Sequence, residues 1–142
     1  MLGNPTKPAD YSSVVEGLEK VQAPLTYSWG VVGHLMGVKN SDDLRAAHDT
    51  IQPKVIEINQ YMGQSQTVYN ALAQLRNGDQ SAWESLDEAQ KRIVNSSIKQ
   101  MESSGVGLPP AQREAFNKLQ QEAAELSTKF SNNVLDSTKQ FK

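Results

Sequence analysis

The 142-residue chain contains no cysteine, which excludes disulfide frameworks, thiolate nucleophiles and thiolate-held metals together and fits a reducing compartment. Histidine is almost as scarce: His34 and His48 are the only two, fewer than the three or more protein ligands a metal site demands. No apolar run approaches the ~20 residues that a membrane-spanning helix requires. The start, Met1-Leu2-Gly3-Asn4-Pro5, lacks the charged and apolar regions of a secretory signal, so the chain reads as soluble, in the cytosol or an organelle. An excess of one charge is missing too. Fourteen basic residues against sixteen acidic ones leave a net charge of −2, with no basic patch to neutralise a run of phosphates, so no nucleic-acid partner is expected. At 37% hydrophobic residues the composition also argues against disorder, and the length suits one domain with its own core.

What is present is helical periodicity. Residues 1–8 hold two prolines and a glycine without an apolar repeat and read as a flexible arm, leaving residues 9–142 as a single helical domain. From near Asp10, Val14, Leu18, Val21, Leu25, Trp29, Val32, Leu35 and Met36 recur every three or four residues, which sets them on one helical face. Pro24 should bend this helix, and Gly30 and Gly33 should admit a close neighbour. Asn40 or Ser41 is suited to cap a second helix whose first turn carries Asp42 and Asp43 and whose stripe runs from Leu44 through Ile51, Val55, Ile58, Met62, Tyr69 and Leu72 to Leu75. Pro53 and Gly63 mark places for a kink or a short break in it.

The turn Asn77-Gly78-Asp79-Gln80 precedes a third helix, for which Ser85 and Glu88 have capping-box spacing; Ser104-Gly105 should end it. Pro109 and Pro110 suit the opening of a fourth, whose apolar stripe is Phe116, Leu119, Ala123, Leu126, Phe130, Val134 and Phe141. That stripe is expected either to seal the core or to dock on a neighbour. Four amphipathic helices with short connections predict an all-α fold, an elongated antiparallel four-helix up-down bundle with long, kinked helices.

No residue set carries catalytic chemistry. His34 and His48 fall on different helices and read as packing or surface histidines. Zinc hydrolysis needs two histidines one helical turn apart with a glutamate base, and that pattern is absent. No serine lies in a Gly-x-Ser-x-Gly elbow; Ser103-Ser104-Gly105 reads as a helix exit. Asp42-Asp43 and Asp87-Glu88 sit where the helix dipole favours carboxylates, and Gly105-Val106-Gly107 is too short for a nucleotide loop. Tyr11, Tyr27, Tyr61, Tyr69 and Trp29 have the spacing of packing residues, whereas Trp83, between helices, is the aromatic expected to be exposed. Catalytic, cofactor-binding and metal residues are therefore all predicted to be none.

Several blocks carry a family resemblance: Trp29-Gly-Val-Val-Gly-His-Leu, Val38-Lys-Asn-Ser-Asp-Asp-Leu-Arg, Gly63-Gln-Ser-Gln-Thr-Val-Tyr-Asn-Ala-Leu, Ser104-Gly-Val-Gly-Leu-Pro and, strongest, Leu126-Ser-Thr-Lys-Phe-Ser-Asn-Asn-Val-Leu-Asp136. Over residues 12–142 the chain resembles the N-terminal helical region of thimet-type zinc oligopeptidases, particularly oligopeptidase A and the plant organellar oligopeptidases. Ser137 departs from the alanine usual in the family. The resemblance implies a parent that cleaves short peptides in a channel between two mostly helical halves, with zinc on a His-Glu-x-x-His helix in its catalytic half. This chain would then be a non-catalytic wall of that channel, partnered by the catalytic half. The alternative is a non-catalytic scaffold or binding subunit of a larger assembly, such as one in a plastid or mitochondrion; an independent enzyme is the least supported reading.

Overall fold

The apolar repeats are realised as helix: in a computed structural model, which describes residues 9–141, a π-helical turn at Ser12–Glu16 leads into six α-helices, and no strand occurs among the described residues. These are α1 (Gly17–Val38), α2 (Asp42–Gly63), α3 (Gln66–Asn77), α4 (Gln80–Glu84), α5 (Glu88–Ser103) and α6 (Pro110–Gln140). The arm expected at residues 1–8 lies outside the described residues.

Six helices stand where the apolar pattern marks four segments, for local reasons. The second segment divides after Gly63 because Ser65 takes an extended conformation and its hydroxyl accepts from the Val68 amide at 3.4 Å, which starts α3 afresh. Asp79 does the same for the short α4, its carboxylate accepting from the Ser81 amide at 2.9 Å. The capping box of α5 is not Ser85 with Glu88. It is Asp87 with Gln90, each side chain bonding the other's backbone amide, at 2.8 and 3.0 Å. Ser85 is helical in conformation and its hydroxyl donates to the Ala82 carbonyl, closing α4 instead.

Other boundaries fall where the sequence places them. Ser41 caps α2 through the Leu44 amide, while the Asn40 side chain turns back to the Met36 carbonyl and finishes α1. At the end of α5, Gly105 has φ 88°, its amide donates to Glu102 and the Val106 amide to Met101, both at 3.1 Å. This is a Schellman closure, and its two apolar flanks, Met101 and Val106, are both buried. Pro110 opens α6, where a missing amide proton costs nothing. Helices α1 and α2 continue through Pro24 and Pro53.

The described residues group into two units. One comprises residues 9–28 with Gln60–Gly107, the other Trp29–Asn59 with residues 108–141. The first holds an aliphatic core of Val14, Val68, Leu72, Leu75, Val94, Ile98, Met101 and Val106, with α3 packed against α5. Trp83, expected to be exposed, leans on this core with Tyr11, Leu18 and Leu86. Glycine matters at two contacts here. A Cβ on Gly63 would lie 3.2 Å from that of Ser104, and one on Gly78 would strike the Gln74 carbonyl at 2.5 Å.

The second unit has a different interior. Its buried residues are Val55 and His48. Gly30 and Gly33 do not mediate a close approach as expected: a Cβ on either meets nothing within 4 Å. Of the two roles left open for the α6 stripe, sealing this interior is not the one it takes, with Leu119 65%, Leu126 60% and Phe130 70% exposed. Half-buried on the other side are Asn117, Gln121, Ala124, Thr128, Asn132 and Leu135, and the Thr128 hydroxyl accepts from the Gln52 side chain of α2 at 2.8 Å.

Candidate functional site

In the second unit α2 and α6 run antiparallel, a direction fixed by two cross-helix contacts. Arg45 meets Asp136 and Gln52 meets Thr128, so rising numbers on one helix match falling numbers on the other. The Arg45 guanidinium donates to both Asp136 oxygens, at 2.8 and 2.6 Å, and its Nε donates to Asn40. This two-pronged geometry suits a planar guanidinium and a carboxylate. It draws the Asp136 carboxyl below the usual carboxylate range and pushes Arg45 above its ordinary value, the hydrogen bond between them being the main cause of both.

Beside this bridge lies an open polar groove of about 520 Å³, lined by Arg45, Asp49, Gln52, Pro53, Glu125, Thr128, Lys129, Asn132, Asn133 and Asp136. Arg45 and Asp136 satisfy one another there, and Asp49, Glu125 and Lys129 add further charge beside the amide and hydroxyl groups of the lining. A second concavity of about 480 Å³ lies in the first unit against Tyr11, Leu75, Ala82 and Leu86. Burial raises the Tyr11 phenol, helped by Asp87, so this hydroxyl stays protonated well into the alkaline range. On the α3 and α5 pair, the Tyr69 hydroxyl donates to Glu102 at 2.9 Å, which raises its pKa as well.

The two histidines serve different ends. His34 is exposed on α1; His48 is buried on α2, its ring stacked on Trp29 at 4.9 Å and 18°, with Nδ1 3.4 Å from Asp49. Tyr27 and Tyr61 are 76% and 81% exposed, contrary to the packing role expected of them. Asp42 and Asp43 occupy the first turn of α2, and Ser104 and Gly105 the exit of α5. Among the described residues no three of histidine, aspartate and glutamate converge as metal ligands. A zinc ion, which the family resemblance implies for the parent, therefore does not fit the donors present: one imidazole faces solvent and the other is committed to an aromatic stack.

The blocks that carry the resemblance meet in space. Residues 38–45 and 126–136 are joined at their last members, Arg45 and Asp136. Residues 63–72 and 104–109 meet where Gly63 lies against Ser104 and the Gln64 amide donates to the Ser104 carbonyl at 2.9 Å. Trp29, which opens another block, is the residue stacked on His48. Sequence reasoning missed these pairings because each joins residues 19 to 91 positions apart, beyond the reach of periodicity; the only signal was that the blocks themselves stood out.

Residues 2–113 match the family model of the neurolysin/thimet oligopeptidase N-terminal domain. The chain belongs to this family. Its relatives agree. It is 43% identical over 131 residues to a probable cytosolic oligopeptidase A and to a chloroplastic/mitochondrial organellar oligopeptidase A, both of Arabidopsis thaliana, and 34% identical to oligopeptidase A of Escherichia coli. Each alignment covers 92% of this chain but only 18%, 16% and 19% of the relative. This oligopeptidase N-terminal domain chain thus spans less than a fifth of the length of those curated relatives. No helix among the described residues is long and apolar enough to cross a membrane.

Proposed function

We propose that the chain is a non-catalytic helical part of an oligopeptidase of the thimet type, forming part of the wall of a channel that admits short peptides to a zinc centre elsewhere in the parent. The observation that carries this reading is the family match over residues 2–113, combined with coverage of only 16–21% of the relatives' lengths. In this reading the described helices act as one domain, an up-down packing of long rods. The partner is the catalytic half, and the compartment is whichever one houses the parent.

The test has two arms. The purified chain, with and without zinc, should not cleave internally quenched short peptides; metal-dependent turnover that survives removal of contaminating proteases would contradict the proposal. Grafted in place of the matching segment of Escherichia coli oligopeptidase A, it should preserve hydrolysis of short peptides by the hybrid. A soluble, zinc-loaded hybrid without activity would count against the channel-wall role.

A second reading, a separate scaffold subunit, is favoured by one observation: the exposed apolar stripe of α6, surface of the kind that a partner covers. The two readings diverge on the parent gene. A reading frame that runs on to a His-Glu-x-x-His segment supports the peptidase; one without it supports the subunit.

A further inference from the structure

The exit of α3 joins two residues with a chemistry of their own, Asn77 and Gly78. Nine asparagines occur in the chain, and only Asn77 is followed by glycine. An asparagine side chain is open to attack by the backbone nitrogen of the next residue, at a rate set by how accessible that nitrogen is. A side chain on the following residue crowds it, which handicaps Asn40 and Asn95, each before serine, and Asn133, before the β-branched Val134. Asn4 precedes Pro5, whose nitrogen has no proton to lose. Gly78 has neither obstacle.

Position in the fold adds to this. Asn77 is the last residue of α3, and Asn77, Gly78 and Asp79 are all exposed. Among the described residues the Asn77 side chain has no hydrogen-bond partner. The Asn40 carboxamide, by contrast, is held at both ends, its nitrogen donating to the Met36 carbonyl at 2.7 Å and its oxygen accepting from Arg45. Asn95 lies inside α5, where helical conformation keeps a carboxamide away from the amide that follows it. The restraint on Gly78 is a single bond, from its amide to the Gln74 carbonyl at 2.8 Å, which closes α3. Helix ends open at a free-energy cost near zero, so that restraint is intermittent. The same carbonyl also holds position 78 to glycine, because a Cβ there would strike it at 2.5 Å. Packing thus requires the very residue that leaves Asn77 open to attack.

We propose that Asn77–Gly78 is a site of spontaneous covalent modification, where the side-chain amide is lost through a succinimide and the α3–α4 turn gains a negative charge. With the last turn of α3 open, hydroxide takes the Gly78 amide proton and the nitrogen bonds to Cγ of Asn77. The Cγ–Nδ2 bond breaks, the departing nitrogen takes a proton from water and leaves as ammonia, and a five-membered ring remains. Water then opens the ring. Cleavage between Cγ and the Gly78 nitrogen gives aspartate; cleavage between that nitrogen and the main-chain carbonyl carbon of residue 77 gives isoaspartate, in which the chain runs through the side chain. No oxidant, reductant or cofactor enters. Both products set a carboxylate at the C-terminal end of α3, where the helix dipole disfavours it, and two residues from Asp79, the cap of α4. Isoaspartate also lengthens the backbone by one carbon between the Gln74 carbonyl and the Gly78 amide, so their bond loses its register. This chemistry does not depend on the peptidase reading.

The folded chain, incubated in mildly alkaline buffer and followed by peptide mass spectrometry, should show the mass gain of NH2 replaced by OH first at Asn77. Conversion there should be about tenfold faster than at Asn40 or Asn95, a barrier difference of about 1.4 kcal/mol. Unfolding the chain in guanidinium should accelerate it by no more than about tenfold, as expected for a helix end that opens readily. Fragmentation that separates the two isomers should find isoaspartate in the product, because only ring opening makes it. Asn77→Gln, whose longer side chain would have to close a six-membered ring, should fold as the wild type does and stay unmodified at that position. In converted chain separated by ion exchange, amide exchange at Gly78 and in α4 should quicken about fivefold. An Asn77 left intact after the unfolded chain has fully converted would overturn the proposal. So would earlier conversion at Asn40 or Asn95, a product containing aspartate alone, or amide exchange in the turn that stays as in the unmodified chain.

Discussion

The two units of this chain use the same kind of helix and close their interiors by different means. The unit built on α3 and α5 buries eight aliphatic side chains in one cluster, with Val94 at 0% and Leu72 at 2% exposure. The unit built on α2 and α6 is held by a guanidinium–carboxylate bridge, a Gln52–Thr128 hydrogen bond and a Trp29–His48 stack, and it leaves its largest apolar groups outside. Hydrophobic burial is non-directional and roughly additive with area, whereas a polar seam depends on geometry and on the protonation of its carboxylate. The first unit should therefore respond mainly to changes of volume, and the second mainly to pH and to what covers its outer face.

The largest effect should come from Leu72→Ala. Removing a buried leucine side chain from a closed cluster costs roughly 3 kcal/mol, read as a lowered denaturation midpoint at unchanged slope. A cost under about 1 kcal/mol would mean that the aliphatic cluster is not what holds that unit, and the comparison would break. Next is a glycine pair. Gly105→Ala, forced into a left-handed conformation, should destabilise by about 1–2 kcal/mol, while Gly33→Ala, helical with open space beyond it, should stabilise by about 0.5–1 kcal/mol.

Leu126→Gln on the outer face of α6 should change stability by no more than about 0.5 kcal/mol, because that side chain is already 60% exposed. A large loss would show that the stripe is buried in the monomer. The smallest effect is the acid response. The folded-state pKa of Asp136 is lowered, so its bridge contributes fully above the ordinary carboxylate value and fades as pH falls through the lowered one. Amide exchange in α2 and α6 should accelerate on acidification in the wild type, and that dependence should shrink in Asp136→Asn.

Local chemistry was legible in the sequence and cross-chain chemistry was not. All-helical character, the cap at Ser41, the glycine exit at Gly105 and the proline start of α6 each depend on residues within one turn, and the structure has all four. The α5 box was misplaced by two residues because Ser85 and Asp87 both have acceptable spacing, and only backbone conformation separates them. The α6 stripe was legible, but whether it seals the core or faces outward was left open. Periodicity says which residues share a face; it does not say that the opposite face, with Thr128 and Asp136, would win the contact with α2 through hydrogen bonds. For the candidate site the sequence offered Arg45 and Asp136 only as the last letters of two recognisable blocks, 91 positions apart.

The chain's two indoles are divided between the units. Trp29 lies face to face with an imidazole in one, and Trp83 rests on aliphatic groups in the other. Ring stacking quenches emission and a hydrocarbon setting shifts it to the blue, so the molecule carries a separate intrinsic fluorophore in each half. Replacing either with phenylalanine leaves a spectrum that follows the unfolding of one half alone, without any added label.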